Sequence, residues 1–178
     1  MTNYRVVDFV KDLRSVASQA AGEAAVVESV RPLAERLARH ASWVRPEYYE
    51  CDPTQGFGVH VLHEEPDHSL WVIAASWLPQ RGAPPHNHGT WAVVAGVDGE
   101  ENNVLWRRHG RQLKRQGAET IGPGQVAAFL SNAIHSVANE GVRTSLSLHV
   151  YGRNLNFAER SRFDPETGAE APFPLKLQ

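Results

Sequence analysis

The feature that most constrains the fold is the stretch from about Phe57 to Tyr151, which reads as short strand-like runs with no helix between them. Turn-forming Gly, Pro, Asn and Asp separate the runs, as at Asp98 and Gly99. The predicted strands cover residues 58–62, 69–78, 90–97, 103–107, 125–130, 134–138 and 143–151. Many consecutive short strands favour an all-β sandwich or barrel.

The first forty residues predict two amphipathic helices. An apolar stripe recurs at spacings of three and four residues, and a second stripe follows the interruption at Gly22. Pro32 predicts a new first turn within the second stripe. With 178 residues we expect one domain spanning 1–178, with a helical cap at 1–42, a barrel core at 57–151 and a C-terminal segment at 152–178.

Composition excludes several classes of partner. The net charge of −2 does not indicate the basic surface that nucleic-acid binding requires, so we expect no nucleic-acid partner. Charged residues interrupt the N-terminal stretch, and no apolar run has the length of a membrane span, so we expect neither a signal peptide nor a membrane partner. Cys51 is the only cysteine, which excludes an internal disulfide and favours a cytoplasmic protein. Nothing in the sequence predicts the oligomeric state.

The segment 82–88, Gly-Ala-Pro-Pro-His-Asn-His, carries the strongest chemical signal. His86 and His88 stand two residues apart, and on a strand both would point to one face, where their imidazoles can meet one metal ion. Such a pair also occurs by chance. His135, which follows a Gly-Pro-Gly turn and an apolar strand, supplies a third ligand. This arrangement resembles the two motifs of the cupin barrel, a double-stranded β-helix or jelly roll.

One departure from the cupin pattern concerns the fourth ligand. Many cupins place a carboxylate four or five residues after the second histidine, where this chain has Ala92 and Val93. The nearest acids downstream lie in or beside a predicted turn, where we expect water to solvate them; they are Asp98, Glu100 and Glu101. We therefore expect three neutral imidazoles and no anion, which leaves open positions on the metal.

The last predicted strand alternates polar and apolar side chains. Ser147, His149 and Tyr151 share one face, and Leu148 and Val150 share the other. A purely structural strand would turn the apolar face inward and leave the polar face in water. The functional alternative is a hydrogen-bonded chain from serine to histidine to tyrosine, which fixes the imidazole tautomer and holds the phenol near the metal.

Taken together, these motifs resemble the cysteine dioxygenase family of thiol dioxygenases. The matching elements are the His86-Asn87-His88 pair, His135 with Asn139 four residues later, and the alternating Ser147, His149 and Tyr151. The resemblance implies a mononuclear non-haem enzyme that holds Fe(II) with the three histidines. It also implies that both atoms of dioxygen are added to a small thiol to give a sulfinate, with the serine, histidine and tyrosine as catalytic residues.

The resemblance also bears on the substrate. Mammalian-type members grip the substrate carboxylate with an arginine on an early strand, and ungapped alignment on His86 puts His60 there. The 3-mercaptopropionate dioxygenases use an arginine nine residues after the tyrosine, which here is Arg160. Arg160 is therefore the expected anchor and His60 a second candidate, although Arg160 could also be a surface charge. Ala92 occupies the place of the mammalian-type crosslinking cysteine, so we expect no thioether to Tyr151.

Three alternatives stay open on the sequence. The substrate could be L-cysteine instead of a mercaptopropionate-like acid. The fold could carry an isomerase or hydrolase that uses Zn, Mn or Ni, since histidine sites bind several divalent metals. It could also be a small-molecule-binding module without catalysis.

Overall fold

The computed structural model describes residues 4–175, so the outermost three residues of the expected cap and of the C-terminal segment lie outside the described residues. Two helices, α1 (Val6–Gln19) and α2 (Glu23–Arg39), and two short 3₁₀ helices, Ala41–Trp43 and Pro46–Tyr49, precede the strands. The strands are β1 (Phe57–Glu64), β2 (Trp71–Trp77), β3 (Arg81–His86), β4 (Ala92–Asp98), β5 (Glu101–His109), β6 (Gln112–Ile121), β7 (Val126–Phe129), β8 (Ile134–Asn139), β9 (Ser145–Tyr151), β10 (Ser161–Phe163) and β11 (Glu170–Pro172).

The strands form two antiparallel sheets. One has the order β1-β2-β9-β4-β7, and the other has the order β11-β10-β3-β8-β5-β6. An apolar cluster between them draws on both sheets, with Ile73 and Phe129 from the first and Ile121 from the second. This architecture is a cupin double-stranded β-helix with an N-terminal helical part, which confirms the predicted fold class.

The helices pack against the five-stranded sheet, on the face that points away from the other sheet. Phe9, Val30 and Leu37 are fully buried and belong to the same apolar cluster as Leu148 and Val150 of β9. Strand β9 is therefore buried on both faces, and every one of its residues is shielded from water. Because the helices take the apolar face, the polar face of β9 is left to line the space between the sheets.

The sequence predicted seven of these strands and missed four. Strand β6 carries no regular alternation, because most of its side chains are exposed. Strand β3 contains Pro84 and Pro85, which are rare in paired strands, and they lie where the β3–β8 register shifts between Ala83 and His86. The new first turn predicted at Pro32 is wrong, since α2 runs unbroken from Glu23 to Arg39.

Among residues 4–175, no helix has the length and the apolar character that crossing a membrane would require.

Candidate metal centre

Three buried histidines converge between the sheets. His86 is the last residue of β3, His88 lies in the loop that follows, and His135 lies on β8 opposite His86. One ring nitrogen from each lies within 4.8 Å of the others, and no other such cluster of three potential ligands occurs in the part of the chain described. The expectation that both histidines of the pair lie on a strand holds for His86 alone. The register shift at the end of β3 still lets the two rings meet, with centroids 5.2 Å apart.

Hydrogen bonds fix which nitrogen two of these rings present. His86 Nδ1 lies 2.8 Å from the Pro84 carbonyl oxygen, and His135 Nδ1 lies 2.8 Å from Asn103 Oδ1. Both partners are oxygens that can only accept, so each Nδ1 carries the proton and each Nε2 keeps its lone pair. The Nε2 atoms of His135 and His88 face each other at 3.1 Å. The rings therefore present nitrogen lone pairs to a shared point.

The site favours neutral imidazoles. Burial, helped by the positive charge of Arg160, lowers the pKa of His86 to about 3. Burial also holds the pKa values of His88 and His135 well below the usual range. Neutral imidazole is the form that binds a metal. His88 Nδ1 is buried without a hydrogen-bond partner among the described residues. The donor set thus fits a divalent transition metal.

The polar face of β9 forms a hydrogen-bonded chain. Ser147 Oγ lies 2.8 Å from His149 Nε2, and His149 Nδ1 lies 2.8 Å from the Tyr151 hydroxyl oxygen. The Tyr151 ring reaches His88, with centroids 5.2 Å apart. Burial raises the pKa of Tyr151, so its hydroxyl stays protonated near neutral pH. The purely structural alternative, in which these polar residues face water, does not occur because the helices cover the apolar face.

Glu101 is a member of the site that sequence reasoning missed. The prediction that water solvates Glu101 is wrong. Glu101 is the first residue of β5, and only 1% of its surface is exposed. Its Oε2 accepts a hydrogen bond from Ser147 Oγ at 2.8 Å, and its Oε1 accepts one from Asn103 Nδ2 at 3.2 Å. No alternating pattern in the sequence marks it, because residues 101–103 are all polar and residues 104 and 105 are both apolar.

Glu101 remains a carboxylate. Burial alone would raise its pKa, but its interactions with His149, Ser147 and Asn103 outweigh that cost and hold the pKa of Glu101 below its usual value. Its Oε2 lies 3.5 Å from His149 Nε2, so a negative charge sits beside the chain that ends at the Tyr151 hydroxyl. Glu100 is exposed and Asp98 accepts a hydrogen bond from the Tyr49 hydroxyl, so neither belongs to the site.

Arg160 is a buried cation and not a surface charge. It is 8% exposed, its Nε has no hydrogen-bond partner among residues 4–175, and its guanidinium carbon lies 4.5 Å from the centre of the Phe173 ring. Burial lowers the pKa of Arg160, but a guanidinium keeps its proton at neutral pH. A buried cation without an anion is costly. The cavity therefore favours a negatively charged occupant.

His60 lies away from this cavity. Its Nε2 is 3.1 Å from the Glu50 carbonyl oxygen and its ring lies 5.5 Å from that of Tyr48, whereas the neighbouring Val59 lines the cavity. Successive strand residues point to opposite faces, so the position aligned with the mammalian-type arginine faces the wrong way here. The structure brings Arg160, and not His60, to the three histidines.

The three histidines and Arg160 line one cavity of about 480 Å³. Pro172 to Leu175 of the C-terminal segment form one wall, with Phe173 5.4 Å from the His86 ring, centre to centre. Apolar side chains such as Ile73 and Trp77 line much of the rest. A cavity of this size and lining, with a few convergent polar groups, suits a small-molecule ligand.

No family model matches the chain, and the comparison with solved structures finds similar folds. An uncharacterized conserved protein with a double-stranded β-helix domain from Klebsiella pneumoniae is 13% identical, with a TM-score of 0.49 over 74% of this chain and 91% of that one. KdgF from Halomonas sp. is also 13% identical, with a TM-score of 0.48 over 64% of this chain and 94% of its own.

An oxalate oxidase in complex with the substrate analogue glycolate is 16% identical, with a TM-score of 0.48. The match covers 62% of this chain but only 59% of the oxidase. At these identities and TM-scores the likeness carries no argument about the site, whose chemistry rests on the side chains described above.

Proposed function

We propose that this protein is an Fe(II)-dependent thiol dioxygenase that converts a short thiol carboxylate, such as 3-mercaptopropionate, to its sulfinate. The observation that carries the proposal is the pairing of two features in one cavity. Arg160 is a buried cation without a carboxylate partner among the described residues, and three neutral histidines lie in the same cavity. An anionic substrate with a metal-binding group at its other end would satisfy both features.

His86, His88 and His135 would hold the metal through nitrogen lone pairs. When bound, Fe(II) supplies a Lewis acid that lowers the pKa of the substrate thiol and the electrons that activate dioxygen. With only these three protein ligands, the metal would stay accessible to small ligands such as the substrate. The net reaction adds both atoms of one dioxygen molecule to the substrate sulfur, so the thiol is oxidised and dioxygen is reduced without a further reductant.

Arg160 would bind and orient the substrate carboxylate. A planar guanidinium makes two parallel hydrogen bonds to a carboxylate, a geometry that lysine cannot reproduce. The Phe173 ring packs on the guanidinium and shields it from water, which strengthens the pairing. Holding the acid at this end of the cavity would point the other end of a short substrate toward the histidines.

Tyr151 would act at the reacting end of the substrate. Its ring contacts His88, and His149 fixes its hydroxyl through a 2.8 Å hydrogen bond. From there the phenol oxygen can accept a hydrogen bond from a protonated group of the substrate, such as the thiol before it loses its proton. Ser147 and His149 would serve by holding this phenol in place, and His60 has no part because it lies outside the cavity.

Oxygen consumption by the Fe(II)-loaded protein against a panel of thiols tests the proposal. We expect kcat/KM for 3-mercaptopropionate to exceed that for L-cysteine and for cysteamine, which lacks a carboxylate. Mass spectrometry with isotopically heavy dioxygen should find two labelled oxygen atoms in the sulfinate. If protein with a full complement of iron consumes no oxygen with any thiol acid, the proposal fails, and a metal-binding cupin of other chemistry becomes the better interpretation.

A further inference from the structure

Glu101 links the two halves of the site. Its carboxylate receives a hydrogen bond from Asn103, whose own oxygen faces the ligand His135. It also receives one from Ser147, which leads through His149 to Tyr151. An ionised carboxylate can only accept hydrogen bonds. The direction of every hydrogen bond in both chains therefore follows from this one group.

The chain toward Tyr151 has only one arrangement of protons when the His149 ring is neutral. Ser147 donates its single hydroxyl proton in the hydrogen bond to Glu101, so its oxygen must accept a hydrogen bond from His149 Nε2–H. His149 then carries its proton on Nε2, and its bare Nδ1 must accept from the Tyr151 hydroxyl. The phenol proton is thus directed at His149, and the phenol oxygen keeps only lone pairs for any other partner.

The chain toward His135 is fixed by the same logic. Asn103 turns its amide Nδ2 to Glu101, so its Oδ1 must face His135 Nδ1. An amide oxygen cannot donate, so His135 carries its proton on Nδ1 and presents a bare Nε2 to the metal. If the amide were reversed, it would place one oxygen against the carboxylate and offer an N–H to the histidine, which would favour the wrong tautomer.

We propose that Glu101 is the positioning residue of this centre, which sets the tautomers of His135 and His149 together and thereby the direction of the Tyr151 hydroxyl. The consequence for turnover rests on the proposed function, whereas the tautomers themselves do not. A glutamine at this position would keep the shape. With metal on His135 Nε2, the protonated Nδ1 still needs the Asn103 oxygen, so Asn103 still donates to residue 101 and the glutamine N–H faces Ser147. Ser147 would then accept that N–H and give its own proton to His149 Nε2, which reverses the chain.

Histidine ring nitrogen NMR on the Zn(II)-loaded protein tests this directly, with Glu101→Gln compared with Glu100→Gln, its exposed neighbour. We expect the His149 ring to be neutral with its proton on Nε2 in the native protein and in Glu100→Gln, and on Nδ1 in Glu101→Gln. In the Fe(II)-loaded protein, Glu101→Gln should lower kcat about 10- to 100-fold, as loss of an outer hydrogen-bond partner does, with little change in the KM for 3-mercaptopropionate.

Two further variants test the chain toward Tyr151 and the chain toward His135 separately. They also keep the proposal testable if Glu101→Gln does not fold. Ser147→Ala should leave Zn(II) affinity unaltered, and His149 should keep its proton on Nε2, because the Glu101 carboxylate 3.5 Å away can accept it directly. Asn103→Ala should weaken Zn(II) binding about 10- to 100-fold and leave the His149 tautomer unaltered. A native His149 ring that is protonated on Nδ1 or on both nitrogens would overturn the proposal, as would a Glu101→Gln protein with the native tautomer and kcat. A protein that shows the expected tautomers but oxidises no thiol would refute only the proposed function.

Discussion

The guanidinium carbon of Arg160 lies 4.5 Å from the centre of the Phe173 ring, and the Phe173 backbone N–H donates to the Arg160 carbonyl oxygen at 3.1 Å. The same ring lies 5.4 Å from that of His86. The C-terminal segment therefore holds the expected carboxylate anchor and closes the cavity beside a metal ligand. One aromatic side chain thus contacts both the proposed carboxylate anchor and a proposed metal ligand.

Arg160→Ala should weaken binding of thiol acids. A charge-assisted hydrogen bond is worth roughly 1.5–3 kcal/mol, so the KM for 3-mercaptopropionate should rise about 10- to 150-fold. The KM for cysteamine should barely change, because cysteamine has no carboxylate. Steady-state oxygen consumption measures both values.

Two matched controls accompany Arg160→Ala. Arg153→Ala removes an exposed arginine from the same segment, and His60→Ala removes the other residue predicted to bind substrate. Both should keep the native KM, since neither side chain lines the cavity. The anchor is assigned to the wrong residue if Arg160→Ala leaves acid turnover unchanged while His60→Ala destroys it.

Removing any one histidine of the centre should remove metal and activity. In His86→Ala, His88→Ala and His135→Ala, iron content after loading should fall to near background, because only two imidazoles remain. The fold should survive, since the apolar clusters on either side of the site stay intact. Metal analysis with circular dichroism checks both points, using His40→Ala at the C-terminal end of α2 as control. A mutant of the centre with full iron content and activity would refute the assignment.

Tyr151 should carry no thioether crosslink. Its partner across the β4–β9 pair is Ala92, which has no sulfur. The one thiol, Cys51, instead lies 3.2 Å from Ser76 Oγ and 3.6 Å from the Tyr49 carbonyl oxygen. Peptide mass spectrometry of protein exposed to iron, thiol and oxygen should find Tyr151 unmodified and Cys51 free to alkylate. A loss of two hydrogens shared by these two residues would show that their placement is wrong.

The helices should contribute stability without touching the chemistry. Leu37 is fully buried between α2 and the sheet, so Leu37→Ala should lower the free energy of unfolding by about 2–5 kcal/mol. Turnover per bound iron should stay near the native value at temperatures where the variant is folded. Val142→Ala, at a position 90% exposed, should change stability by less than about 0.5 kcal/mol. Denaturant unfolding compares the two, and equal losses would contradict this account of the core.

The resemblance to the cupin motifs predicted the convergence of the histidines, and the sequence by itself determined the β architecture and the two helices. Those properties follow from local periodicity, because alternating side chains mark strands and spacings of three and four mark helices. Ser147, His149 and Tyr151 could be placed on one face for the same reason. Strand β6 was not predicted because its exposed residues show no alternation of polar and apolar side chains. Strand β3 was not predicted because its prolines disfavour a strand.

Only the tertiary structure decided which polar residues enter the site. The burial of Glu101 depends on β5 pairing beside β8 and facing β9, which are far away in sequence. The burial of Arg160 depends on the C-terminal segment folding back so that Phe173 covers it. His60 is excluded because the face of β1 that lines the cavity is set by its register with β2. Hydrophobic periodicity specifies which face of a strand is buried. A charged side chain, in contrast, can be buried only where other groups form hydrogen bonds or contacts with it, and those groups lie on strands that are distant in sequence.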